Sequence, residues 1–162
     1  MRPALSAKYA RRTRQAIFTR REYTALATQE GRDQVTAPER IRYTSEHEWV
    51  LPSGENTVRV GITDYAQRQL GDVVFVQLPD EGSKVSVGES MGEVESTKSV
   101  SELYAPVEGE VVKGNERLGD EPDLVNTDPF GDGWMVEIRL ADPAALDQLL
   151  DENAYQQLTD QD

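Results

Sequence analysis

The stretch Ser90-Met91-Gly92-Glu93-Val94-Glu95, Ser96-Thr97-Lys98-Ser99, Val100-Ser101-Glu102-Leu103-Tyr104 decides the fold. Two short runs that suit strands flank four polar positions, which is the pattern of a hairpin with Lys98 near its tip. On the C-terminal side, Pro106 and Gly109 punctuate the approach to another short strand, Glu110-Val111-Val112, which Gly114-Asn115 closes. On the N-terminal side, Lys84–Val87 ends at Gly88, and the buried run Val73–Leu78 stops at Pro79.

Further upstream, Arg42–Thr44 and Glu48–Leu51 read as strand material. Pro52-Ser53-Gly54 reads as a turn, and Thr57–Val60 returns as the second strand of a hairpin. A short helix is expected near 64–70, capped by Thr63 or Asp64 and ended by Gly71. Residues 115–133 are rich in Gly, Pro, Asn and Asp and read as a structured loop with room for one helical turn; Trp134–Leu140 is the final strand. Asp142 as N-cap, Pro143 in the first helical position and the stripe Leu146, Leu149, Leu150, Ala154, Leu158 predict a C-terminal helix near 143–158 that packs on the sheet. Many short strands with regular turn signals give a mainly β chain, a β-sandwich or flattened barrel.

Charge divides the 162 residues into two parts. Residues 1–38 hold eight basic and three acidic residues, about +5, against a chain total of −13, which leaves about −18 for residues 39–162. The first part is read as a basic extension, disordered rather than folded; as a mitochondrial leader it is interrupted by Glu22, Glu30 and Asp33. The second part is read as the single domain. Its acidity argues against nucleic acid as a partner and for basic surfaces on partner proteins. No apolar run suits a membrane span, and there is no cysteine for a disulfide, a thiolate nucleophile or a zinc site.

The sequence carries no self-contained catalytic machinery. Its one histidine, His47, stands in His47-Glu48-Trp49 without the second histidine that a zinc protease helix needs, and is expected to be structural. There is neither a nucleophile elbow nor a phosphate-binding glycine loop. No metal site and no catalytic residue is therefore assigned. Lys98 is the candidate of interest. A lysine in a polar turn is ordinarily just solvated. At a hairpin tip among small neighbours, however, its amine is open to a modifying enzyme, and a group tethered there can visit several active sites.

Met91–Val111 closely resembles the lipoylation region of glycine cleavage H proteins, with Glu95-Ser96-Thr97-Lys98 and then Pro106-Val107-Glu108-Gly109-Glu110. Tyr43–Val50, Gly61–Gln67, Leu70–Pro79, Leu124–Asn126 and Asp132–Met135 are similar to further blocks of that family, in order, so that the resemblance runs from about 41 to about 158. It implies a biotinyl/lipoyl-carrier β-sandwich (a barrel-sandwich hybrid) and a non-catalytic carrier with lipoate joined to Lys98 by an amide. It also implies a cycle: a pyridoxal-phosphate glycine decarboxylase loads the aminomethyl group of glycine onto the arm, a tetrahydrofolate-dependent aminomethyltransferase unloads it, and a flavin-dependent dihydrolipoyl dehydrogenase reoxidises the dithiol. A lipoyl ligase or transferase would attach the arm. Glu48 and Glu102 match acidic positions near the arm, and Glu95 and Ser96 positions that could guide the attaching enzyme; a solvated surface role competes with each. A monomer in the cytoplasm is expected, with the mitochondrial matrix as the alternative compartment. Other readings are a biotinyl domain, a lipoyl domain of a 2-oxoacid dehydrogenase, an H-like lipoyl relay and a plain acidic binding module. Biotin carriers usually show Met-Lys-Met, and dehydrogenase lipoyl domains Asp-Lys-Ala, where this chain has Thr97-Lys98-Ser99.

Overall fold

The computed structural model describes residues 40–161; the expectation for 1–38 lies outside them. In chain order the elements are β1 (Arg42–Tyr43), β2 (Glu48–Pro52), β3 (Thr57–Ile62), α1 (Asp64–Leu70), β4 (Val73–Gln77), β5 (Lys84–Val85), β6 (Ser90–Ser96) and β7 (Val100–Tyr104). They continue with β8 (Gly109–Gly114), α2 (Arg117–Asp120), α3 (Leu124–Thr127), β9 (Val136–Leu140), a 3-10 helix (Pro143–Gln148) and α4 (Glu152–Asp160). Two antiparallel sheets result, one in the order β1-β2-β3-β9-β8-β5 and one in the order β4-β6-β7. This is the mainly β sandwich that the spacing of short strands predicts.

The core lies between the sheets. Val58, Val60, Val111, Val136 and Ile138 come from the larger sheet and Val76, Val94 and Leu103 from the smaller, all buried in one cluster. Burying each such side chain is worth about 1.5–3 kcal/mol over leaving it exposed. Trp49 is completely buried; its indole N–H donates to the Pro129 carbonyl (2.9 Å) and its ring tilts against Phe130. Thr63 caps α1, its hydroxyl accepting the Ala66 N–H at 3.1 Å. Residues 115–133 hold two short helices, α2 and α3, each anchored by one buried residue, Leu118 and Val125. The Asn115 side chain closes that segment by donating to the carbonyls of Asp132 (2.8 Å) and Trp134 (2.7 Å).

The C-terminal helical segment is present, but in two pieces. Leu150 exchanges backbone hydrogen bonds with Tyr43 in both directions (2.9 and 2.8 Å), which pulls residues 149–150 into an extended bridge to β1. A new helix then starts at Asp151, whose side chain accepts the Ala154 N–H at 2.8 Å. Leu146 and Leu149 still pack against the core, as the stripe predicts, yet the buried residue of α4 is Tyr155, stacked on Tyr43 at 4.3 Å between ring centroids.

Candidate functional site

The β6–β7 hairpin ends in Ser96-Thr97-Lys98-Ser99. Ser96 is buried, and its hydroxyl accepts the backbone N–H of Lys98 (3.1 Å) and of Ser99 (3.0 Å) while donating to the Ser99 carbonyl (3.2 Å). The Ser96 N–H also bonds to that carbonyl at 2.8 Å. One small side chain thus holds three successive peptide units, a local alternative to strand pairing that serines readily supply. Lys98 itself is exposed.

The tip is braced from the side. Thr97 N–H donates to the Asp72 carbonyl at 3.0 Å. Gly71, which ends α1, has φ +90°, a conformation open to glycine at little cost. A β-carbon built there would lie 3.3 Å from Lys98 Cε, so the lysine stem runs along the glycine. Asn126 fixes this corner: its carbonyl oxygen accepts the Val73 N–H (2.8 Å), and its amide donates to the Gly71 carbonyl (2.9 Å) and to Gln67 Oε1 (2.8 Å). The sequence suggested Gly71 only as a helix stop and offered no sign that Gly71, Asp72 and Asn126 support the lysine turn. That link is made by folding, across more than 25 residues of chain.

Beside the hairpin opens a cleft of about 420 Å³, lined among others by Glu46, His47, Glu48, Ile62, Tyr65, Leu70, Val94, Ser99, Val100 and Glu102. The structure therefore brings Glu48 and Glu102 into one cleft that begins next to Lys98. They differ sharply. Glu48 is 2% exposed, which corrects the solvated reading for it. One oxygen accepts the Thr44 hydroxyl and the other the Tyr104 N–H at 3.2 Å. Burial raises its carboxyl above the ordinary value and the Glu46 charge adds to that, against the two hydrogen bonds, which pull it down. Glu102 is exposed and accepts the Tyr104 phenol at 3.1 Å, a contact that raises the phenol's pKa. Of the two acids, Glu102 is the one free to meet a cation.

His47 sits at the cleft wall with φ 70°, a left-handed conformation in the turn before β2. Its Nδ1 lies 2.8 Å from the Tyr155 hydroxyl, which is 2.7 Å from Thr63 Oγ1. The histidine joins the turn, the start of α1 and α4, a structural role as expected. Glu95 is exposed on the outer face of the small sheet and does not line the cleft; the register sets it between Phe75 and Val100, and Val100, on the edge strand, borders the cleft as well.

Chemically, the site offers an exposed primary amine on a rigid turn and a neighbouring cleft with an apolar floor and an acidic rim. The family model described as glycine cleavage H-protein matches residues 41–162. The chain is 55% identical over 127 residues to the glycine cleavage system H protein of Mycobacteroides abscessus, covering 76% of this chain and 97% of that one. It is 61% identical over 121 residues to the protein of the same name from Mycobacterium sp. strain KMS, covering 73% and 92%. A crystal structure of a glycine cleavage system H protein from Mycobacterium marinum superposes with a TM-score of 0.68 at 44% identity, over 76% of this chain and 98% of that one.

Proposed function

The chain belongs to the glycine cleavage H-protein family, and from that membership we propose that it serves as the lipoyl carrier of the glycine cleavage system, with the arm on Lys98. The observation that supports this best is the placement of Lys98, an exposed amine on a turn tied by Ser96, one residue from the mouth of the cleft. The lipoyl group supplies a strained, reducible disulfide and a thiol able to hold a one-carbon unit. This chain supplies the platform and none of the bond-making chemistry.

The residues fit such an arm. Amide formation at Nζ removes the ammonium charge, and the stem then has the Gly71 corner to leave or rest upon. Ile62, Leu70 and Val94 give the cleft an apolar lining for a hydrocarbon chain. Glu102 at the rim can hold the cationic amine of a loaded arm by charge, weakly because it is exposed. Glu48, with both oxygens engaged, shapes the floor and keeps Tyr104 and Thr44 in place. Ser96 holds the turn in one conformation for the attaching enzyme, and Glu95 offers that enzyme an acidic contact.

The partners follow from this reading. They are the pyridoxal-phosphate decarboxylase of glycine, the tetrahydrofolate-dependent aminomethyltransferase, the flavin-dependent dihydrolipoyl dehydrogenase and the lipoate-attaching enzyme. The bacterial relatives point to the cytoplasm as the compartment. Intact mass and peptide mapping of protein from its native host, followed by glycine–CO₂ exchange with purified decarboxylase, test the proposal. A lipoyl amide on Lys98 and exchange that is lost in Lys98→Arg are expected. An unmodified lysine after growth with lipoate and a competent ligase, or a modified protein without exchange, overturns it.

A further inference from the structure

The smaller sheet has an outward face that no element of the described residues covers. Its last row before the hairpin tip is Phe75, Glu95 and Val100, paired across β4, β6 and β7 in that order. Phe75 is 54% exposed and Val100 57%, among the largest exposures of apolar side chains in the described fold, and Val74 beside them is 49% exposed. The next row is Gln77, Glu93 and Glu102. Two exposed apolar side chains, Phe75 and Val100, therefore flank Glu95 in a row that ends two residues from Lys98, with Glu93 and Glu102 in the row beyond. Isolated exposed apolar residues need no explanation, but Val74 and Phe75 side by side, with Val100 across Glu95 and carboxylates between and beside them, have the makeup of a mixed apolar and acidic binding surface.

We propose that this row, Phe75–Glu95–Val100, is the docking surface for the enzyme that acylates Lys98, a partner whose active-site mouth is apolar and bordered by cations. The inference rests on the carrier reading and names one partner within it. Reach selects that partner. A bare lysine extends only about 6 Å from its backbone, taking about 1.3 Å per bond along the stem. An enzyme that acylates it must therefore lie against the turn and the strand ends beside it. Partners that meet a finished arm can stand off by the much greater length of the arm. The turn is too firmly tied to peel away, because Ser96 holds three peptide units and Thr97 is bonded to Asp72. Consequently the acylating enzyme covers the rows next to the tip, and these offer it an apolar anchor within an acidic border.

The test uses the full-length protein and a purified lipoate-attaching enzyme with its activated lipoyl donor. The rate of lipoyl transfer is measured against carrier concentration for wild type, Phe75→Ser, Phe75→Leu and Lys98→Arg. Phe75→Ser should raise KM roughly tenfold, the loss of one buried aromatic anchor. Phe75→Leu should restore most of it, and KM for wild type should rise with ionic strength as the acidic border is screened. Because Phe75 is half exposed, the serine variant should fold, and the leucine variant guards against the case that it does not. Equal KM values for wild type and Phe75→Ser overturn the docking surface alone. So does a Phe75→Ser protein that is acylated normally but exchanges glycine carboxyl carbon poorly, since the face would then belong to the decarboxylase. A wild-type chain that accepts no lipoyl group overturns the carrier reading, and the surface with it.

Discussion

At the scale of single residues, the site rests on two buried polar side chains with different duties. Ser96 does its work through neutral hydrogen bonds and is insensitive to pH. Glu48 keeps a carboxyl in a buried position, and that has a consequence for stability. Because burial raises its pKa above the ordinary 4.5, the folded chain binds this proton more tightly than the unfolded chain does. The group's contribution is therefore fully present below about 4.5 and is lost as pH rises through the raised folded value. Glu48→Gln removes the titration. Urea denaturation of both proteins across the acid-to-neutral range should show wild type losing ground to the variant as pH climbs above about 4.5, with a flat difference below it. A difference that stays flat throughout, or slopes the other way, would mean that the hydrogen bonds from Thr44 and Tyr104 outweigh burial.

At the scale of elements, α4 is tied to the site wall through the Tyr155 hydroxyl. The Tyr155 oxygen reaches His47 Nδ1 at 2.8 Å and Thr63 Oγ1 at 2.7 Å, while its ring stacks on Tyr43. Tyr43 is itself held neutral by burial, with the nearby Glu152 and Tyr155 adding to the effect. Tyr155→Phe keeps the stack and deletes both contacts, so it should cost about 1–3 kcal/mol in chemical denaturation. A loss near zero would mean that α4 is held by ring packing and its other contacts with β1 rather than by this hydroxyl. This element also marks where the sequence stops being legible. The strands, α1 with its Thr63 cap and the hairpin at Lys98 could be read because period-2 alternation and turn residues are local signals. The break at Leu149-Leu150 could not, because its cause is Tyr43, more than 100 residues away, and a helical stripe does not report a bridge that interrupts it. Asp151, the residue that caps α4, falls inside the helix that the Asp142-Pro143 signal starts, so it does not stand out there as a second helix start. In the candidate site, motif resemblance singled out Lys98, Glu48 and Glu102, and the fold brings the two acids into the cleft beside the Lys98 turn. The Gly71–Asn126 brace and the Phe75 row were not, since both depend on which chain segments lie side by side.

At the scale of the whole molecule, charge is the dominant feature. Taking the extension's eight basic and three acidic residues from the chain's 17 and 30 leaves nine bases against 27 acids in residues 39–162. Even if every base were paired, about two-thirds of the acids would have no partner of opposite charge. The ion pairs observed, such as Arg68–Asp64 (3.0 Å), Arg117–Glu121 (3.3 Å) and Arg139–Glu110 (3.0 Å), involve exposed arginines and are each worth at most about 1 kcal/mol. Salt weakens both kinds of interaction. Because the repelling groups outnumber the pairs, the relief of repulsion should win. Raising sodium chloride from about 10 mM to about 150 mM, which shortens the screening length from roughly 30 Å to 8 Å, should raise the melting temperature of the full chain by a few degrees. The same salt change should weaken docking to basic partners, so stability and association should respond in opposite directions. A melting temperature that falls with salt would mean that the exposed pairs contribute more than the surplus carboxylates cost, and would shift the account of this acidic surface from partner steering to internal bracing.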